Sequence, residues 1–427
     1  MTNPTTLGKA LPIKYGKARN ESYGYVAVSV PVYGSSGVIG DFNRALTTGP
    51  TLIVGRKGSA GSIHYSATPC WPIDTVYYAE TPPDSTLHYF RYLLEHLRLG
   101  QHDKSTAIPS LGRDDYNAIP VTVPPLEEQE RVVAYLDEQL SRLDASVAAL
   151  HRVQANLKRY RASVLKSACE GRLVRTEAEL ARQEGRKFET GEQLLQRILA
   201  ERRARARGKS KYKEPSAPSA VRLSDAPEGW VWSNVDQLAE VGTGATPKRD
   251  VQAFYEGGRI AWVTSGAVNG EYVDQASEFV TDRALAETNL SIYPAGTLLL
   301  AMYGEGKTRG RCSELRIAAT TNQALAAIQA AEPVRRYLRL LLERSYEETR
   351  KAASGGVQPN LNLSLVRAIK VPLPPLAEQQ RIVAEADRRL SLIRVAEAQV
   401  TTNLARAQRL RQSILQAAFR TPAQAGQ

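Results

Sequence analysis

The chain has 427 residues, too many for one ordinary domain and suited to two or three. Hydrophobic residues at 42% and charged residues at 23% let it bury cores, and no stretch approaches the roughly 18 apolar residues of a membrane span, so a soluble cytoplasmic protein is expected. The formal charge of +12 admits nucleic acid as a partner but is uneven: 20 Lys and Arg face 14 Asp and Glu in 124–220, and 8 face 4 in 371–427.

Residues 10–123 carry strand-like runs at 25–30 and 51–54. They alternate with the turn chemistry of Pro31-Val32-Tyr33-Gly34-Ser35-Ser36-Gly37 and Gly55-Arg56-Lys57-Gly58-Ser59-Ala60-Gly61, and a short helix is expected at 89–97. Pro124-Pro125 cannot lie inside a helix and stands before Leu126, Glu127 and Glu128, so a long helix is expected over 126–168, about 43 residues and roughly 60 Å. Apolar or small residues at 133, 136, 140, 143, 147 and 150 give it a coiled-coil seam, which slips once after Leu150. Residues 171–225 read as a basic linker, densest at Arg202, Arg203, Arg205, Arg207, Lys209, Lys211 and Lys213. That run is either a solvated connector or an arm that contacts phosphates. Residues 228–370 offer Trp230-Val231-Trp232, Ile260-Ala261-Trp262-Val263, a run at 297–300, a glycine-rich basic loop over 304–311 and a helix at 337–343. Pro374-Pro375 then opens a second long helix, with Val383, Ala386, Leu390, Ile393 and Val400 on its seam.

The two long helices are copies of one unit. Pro124-Pro125-Leu126-Glu127-Glu128-Gln129-Glu130-Arg131 returns as Pro374-Pro375-Leu376-Ala377-Glu378-Gln379-Gln380-Arg381, an offset of 250 with no gap. At that offset Asp137 meets Asp387, Leu140-Ser141 meets Leu390-Ser391, and Arg161 meets Arg411; upstream, Pro109-Ser110-Leu111 faces Pro359-Asn360-Leu361. The shared seam implies that the helices pack on each other. The expected fold class is α+β (mixed α/β): two globular domains separated by two long coiled-coil helices, with an internal pseudo-two-fold repeat.

Enzyme signatures fail on context. Ala301 to Thr308 fits a loose phosphate-loop pattern, but Gly310 follows at once where a helix should open, and no later apolar strand ends in a magnesium-binding Asp. Cys70, Cys169 and Cys312 form no C-x-x-C pair and read as buried thiols; His64, His88, His96, His102 and His151 have no metal-ligand spacing. No cofactor and no metal are expected, and Trp262 reads as core.

The two P-P-L-x-E-Q-x-R helix starts, Val32-Tyr33-Gly34-Ser35-Ser36-Gly37, Gly55-Arg56-Lys57-Gly58-Ser59, Lys211-Tyr212-Lys213-Glu214-Pro215 and Pro227-Glu228-Gly229-Trp230 resemble the specificity subunits of type I restriction-modification enzymes. The first half lacks the Pro-x-Gly-Trp opening and starts near Leu7-Gly8, so its reader is expected to be shortened at that edge. The resemblance implies target-recognition domains at 1–123 and 226–373, long antiparallel helices at 124–170 and 374–420, and the linker between. It also implies a non-catalytic subunit reading a bipartite double-stranded DNA site, with two methyltransferase subunits docked on the helices and restriction/translocase subunits joining them. A protein-binding coiled-coil scaffold and a self-sufficient DNA-modifying enzyme are the alternatives.

Phosphate contacts call for Lys and Arg, and base edges for Arg, Asn, Gln, Ser or Thr. The candidates are Lys14, Lys17, Arg19, Ser35, Ser36, Arg56, Lys57 and Lys104 in the first domain. In the second they are Lys248, Arg249, Thr264, Ser265, Lys307, Arg309, Arg311, Gln358 and Asn360. Each could equally be ordinary surface; the cluster is the stronger expectation. Leu140, Leu143, Leu150, Leu390 and Ile393 are assigned to the partner-binding helices.

Overall fold

The computed structural model describes residues 3–19, 29–102, 109–206, 213–218, 226–303, 308–332, 334–352 and 361–420. They form two compact units, residues 1–153 with 399–427 and residues 154–398, so the division falls inside both long helices.

In the first unit, β1 (Asn3–Thr6) leads through α1 (Leu7–Ala10) to β2 (Lys14–Tyr15), β3 (Val30–Gly34), β4 (Gly37–Phe42), β5 (Thr51–Gly55), β6 (Ile63–Ser66), β7 (Trp71–Pro72) and β8 (Val76–Glu80). Helices α2 (Leu87–Leu97) and α3 (Arg113–Ala118), strand β9 (Pro120–Val123) and the long α4 (Leu126–Cys169) follow. The sheets run β2-β8-β5-β6, β4-β3-β7 and β1-β9. Strand β5 is buried along its whole length, as a Thr-Leu-Ile-Val run between two neighbours requires, and α2 turns Leu87, Tyr89, Phe90, Leu93 and Leu94 onto that core.

The second unit adds α5 (Glu177–Glu184) and α6 (Gly191–Ala206), then β10 (Val231–Asn234), α7 (Val235–Leu238), β11 (Glu240–Thr243), β12 (Ile260–Val263), β13 (Tyr272–Val273), β14 (Glu278–Val280) and α8 (Asp282–Glu287). It continues with β15 (Leu298–Ala301), β16 (Cys312–Leu315), β17 (Thr320–Thr321), β18 (Leu325–Gln329), α9 (Val334–Ala352), α10 (Leu363–Arg367), β19 (Lys370–Leu373) and the long α11 (Leu376–Ala418). Its sheets run β11-β18-β15-β16-β13, β14-β12-β17 and β10-β19. Apart from the extra β13, each sheet repeats one of the first unit strand for strand. The match extends to register: Asn3 faces Val123 as Val231 faces Leu373, and Leu7 N donates to the Ile119 carbonyl as Val235 N does to Ile369. The first unit therefore does have its edge strand, β1, although it lacks the Pro-x-Gly-Trp sequence.

The basic linker needs correction. Within 171–225, α5 is closed by a capping box between Thr176 and Glu179, and α6 buries Leu194, Leu195 and Leu199 in the second unit's core. Burying each leucine contributes about 1.5–3 kcal/mol, which helps offset the conformational entropy that keeps a true linker loose. Arg202 donates to the Asp236 carbonyl and Arg203 pairs with Glu214, while Arg207, Lys209 and Lys211 lie outside the described residues.

Both long helices use their repeated residues alike. Gln129 and Gln379, 1% and 0% exposed, each donate an amide N–H to the carbonyl of the first proline of the pair, at 2.8 Å. In the first unit Leu136 and Leu140 at the start of α4 cluster with Leu415 near the end of α11. In the second unit Val383, Ala386, Leu390 and Ile393 of α11 share a core with Val164, Leu165 and Ala168 near the end of α4. Start meets end in each case, so the pairing is antiparallel. Tyr92 of α2 and Tyr337 of α9 join these clusters, so the seam is shared with each unit's own short helix.

Candidate nucleic-acid interface

Strands β2 and β5 are both antiparallel to β8, which lies between them, so their carboxyl ends emerge on the same edge; β11 and β15 do the same around β18. Three connections matter in each unit: those leaving β2, β3 and β5, and their counterparts leaving β11, β12 and β15. Among the described residues, the candidates from the sequence, apart from Lys14 in β2, fall on these connections. Lys17 and Arg19 follow β2, Ser35 and Ser36 form the turn after β3, and Arg56 and Lys57 follow β5. Lys248 and Arg249 follow β11, Thr264 and Ser265 follow β12, and Arg309 lies after β15.

Glycine makes the first connection possible in both units. A Cβ on Gly16 would lie 2.0 Å from the Ile73 carbonyl oxygen, and one on Gly244 would lie 1.6 Å from that of Thr321. The basic segments are thereby pressed onto the β7 and β17 ends, where Trp71 Nε1 donates to the Lys17 carbonyl and Trp262 Nε1 to that of Ala245. After β5 the chain makes a tight loop, with Gly55 N bonded to Ser62 O and Gly61 N to Gly55 O. Gly61 has φ +75°, and a Cβ there would sit 2.2 Å from the Gly100 nitrogen. This loop presents Arg56 and Lys57, and Ser62 Oγ ties it to the Ser35 turn through the Ser35 carbonyl.

Arg56 is half-buried, with its guanidinium 5.1 Å from the Tyr15 ring and bonded to the Asp74 carbonyl. Arg113 lies 5.4 Å from the same ring, so an exposed tyrosine stands between two cations, and neither Tyr15 nor Arg113 carries a motif in the sequence. In the second unit Thr246 donates to Gln323 Oε1 at 2.6 Å, and Asn322 N binds the Val263 carbonyl beside Thr264. Thr246 and Gln323 are further polar groups at this edge that lack a sequence signature.

Not every candidate points outward. Lys14 pairs with Glu80 at 2.8 Å; that bond raises the Lys14 pKa and lowers that of Glu80. Arg249 is stacked 4.9 Å from both Tyr255 and Trp262 and bound to Glu278, which raises its guanidinium further above the ordinary range. Arg311, at the far end of the connection leaving β15, donates to the Asn269 carbonyl and borders a cleft with Arg161, Glu343 and Arg394. These three serve first as internal fastenings. Lys104, Lys307, Gln358 and Asn360 lie outside the described residues, as does Gly304-Glu305-Gly306; a strand, β16, follows that loop rather than the helix a phosphate loop needs.

The assignment of partner-binding leucines is corrected too. Leu140, Leu390 and Ile393 are at most 3% exposed and face their own chain, while Leu143 and Leu150 are half-buried. The outer face of the helices carries other apolar groups, among them Tyr160 at 46% and Leu410 at 48%, which are equivalent at the offset of 250. The three cysteines are buried, and Trp262 is core.

Two α+β units with equivalent polar edges, each built onto one copy of a repeated helix, define a duplicated protein. The chain matches the family described as Type I restriction modification DNA specificity domain over residues 7–156 and 227–389, more than half its length, and belongs to that family. It is 30% identical over 169 residues to the MjaIX specificity subunit of Methanocaldococcus jannaschii, a match covering 38% of each chain. To the EcoDI specificity subunit of Escherichia coli it is 23% identical over 325 residues, 76% of this chain and 66% of that one. The chain thus spans less than two thirds of these relatives. A solved structure described for complex assembly and conformational transition of the type I R-M system aligns with TM-score 0.58 at 17% identity, over 98% of this chain and 97% of the other; the likeness is one of fold.

Proposed function

We propose that this chain is the DNA-reading subunit of a type I restriction-modification complex and performs no catalysis itself. Each unit reads one part of a bipartite site in duplex DNA through the edge formed by its three connections. The long helices fix the distance between the two parts and dock two methyltransferase subunits, with restriction/translocase subunits added to that core. The observation that carries this reading is the equivalence of the connections. Two units of diverged sequence keep the same three outlets, and each outlet bears basic or hydroxyl side chains suited to phosphates and base edges. Divergence on a constant frame is what two different half-sites require. The exposed Tyr160 and Leu410 faces are the partner-docking surface we favour, since they are equivalent in the repeat and turned away from the chain's core.

The test is a salt titration of DNA binding by the assembled complex. Binding should weaken steeply as salt rises, and replacing both Arg56 and Lys57 by Ala should lower affinity across sequences and reduce the magnitude of the log–log salt slope by about 2. An unchanged slope would remove this loop from the DNA contact. The absence of any salt-dependent duplex binding would overturn the DNA-reading proposal and favour a scaffold.

A further inference from the structure

Among the described residues, one surface of the repeat is covered in the second unit and open in the first. In the second unit the start of α11 is roofed by the segment that follows α4. Glu378, 0% exposed, accepts Glu177 N at 2.8 Å and Trp230 Nε1 at 3.0 Å. Glu177, itself 3% exposed, returns its carboxylate to Arg381 at 2.6 Å. Leu194, Leu195 and Leu199 of α6 complete the cover in one core with Tyr337, Leu341 and Ile382. Gly191 at the head of α6 sits so close to β19 that a Cβ would meet the Leu373 carbonyl oxygen at 2.4 Å.

The first unit keeps the walls of that site. Tyr89 stands for Tyr337 and donates to the Thr122 carbonyl as Tyr337 does to that of Pro372, the position 250 residues on. Leu93, Val121, Pro124 and Val132 line the same groove, about 380 Å³ in volume, with Glu128 at its rim. Yet Glu128 is exposed, and the Arg131 side chain is 74% exposed and paired with Glu127 on its own helix. Phe419 enters the groove where the second unit has Cys169, so the remaining space is narrower but still apolar at its floor.

We infer that this groove is a docking site for a leucine-bearing helix of another protein subunit, entering as α5 and α6 enter the second unit. Such a helix would set an acidic first-turn residue against Arg131 and a backbone N–H against Glu128. The occupant is argued from the chain itself. The second unit displays what fits these walls, and the exposed Glu128 and Arg131 stand at the rim positions whose counterparts, Glu378 and Arg381, are met by the amide and carboxylate of Glu177. A second copy of the chain has its own α6 buried.

The inference rests on the assembly part of the proposed function, and the two fail differently. The test measures binding of the full-length chain to the methyltransferase subunit of its own complex. Reversing the rim with Glu128→Lys and Arg131→Glu, both exposed, should leave the melting temperature of the isolated chain unchanged and weaken that binding at least tenfold. A photo-cross-linking residue at position 128 of the otherwise native chain should form an adduct with a helix of that subunit. Equal affinity of the reversed and native chains, or cross-links confined to the chain itself, would overturn the groove as a docking site. No binding even by the native chain would overturn the assembly reading, and the groove proposal with it.

Discussion

Gln129 and Gln379 are identical residues 250 positions apart that make the same bond to the same proline carbonyl. Proline pairs start a helix but leave carbonyls beside a buried turn, and a glutamine five residues after the first proline satisfies that proline's carbonyl. The bond is fully buried at Gln379 and partly buried at Gln129. Gln379→Leu should therefore cost about 1–3 kcal/mol by thermal unfolding, with Gln129→Leu costing less. Equal melting temperatures for Gln379→Leu and the native chain would mean that the bond is ornamental. Repeated residues of this sort were legible because they stand in one gap-free register. Others were hidden by loop-length differences. Arg411 pairs with Glu95 at 2.8 Å and Arg161 with Glu343 at 3.0 Å, the same clamp in each unit. The arginines match at 250, but the glutamates are 248 apart and fall out of the register. Tyr15, Arg113, Thr246 and Gln323 are single side chains on connections, brought to the edge by strand pairing that no local pattern encodes.

At the scale of elements, both long helices and their packing together follow from proline starts and the apolar seam, while their antiparallel sense is what the family resemblance implies. The helices α5 and α6 did not, because the arginine-rich end of α6 dominated the reading. Leu194, Leu195, Ile198 and Leu199 nonetheless have helical spacing, and Thr176 with Glu179 forms a cap. Since α4 and α11 both cross the division between the units, a change in spacing must be made in both. Inserting four residues after Leu150 and four after Val400 adds roughly 6 Å of rise and about 40° beyond a full turn. DNA rises about 3.4 Å per base pair, so the variant should keep both half-sites and prefer a spacer one or two base pairs longer. An insertion of four is a stutter that unwinds a coiled coil locally without abolishing it, so the complex should still assemble. A folded, assembled variant that methylates only sites with the original spacer would show that the helices do not set the distance.

At the scale of the molecule, the proposed function gives the chain two readers of one plan, each taking its strands and short helices from its own half of the repeat and the end of the other half's long helix into its core. The unit of exchange is then residues 1–123, because β1 and β9 pair with each other and must move together. The direct measurement is genome-wide methylation mapping in cells whose complex carries this chain with residues 1–123 replaced by the matching segment of a family member that has a different site. The account predicts that one half of the recognised sequence changes to that of the donor while the other half and the spacer stay as they were. A change in both halves together, or a site that follows residues 226–373 alone, would contradict it.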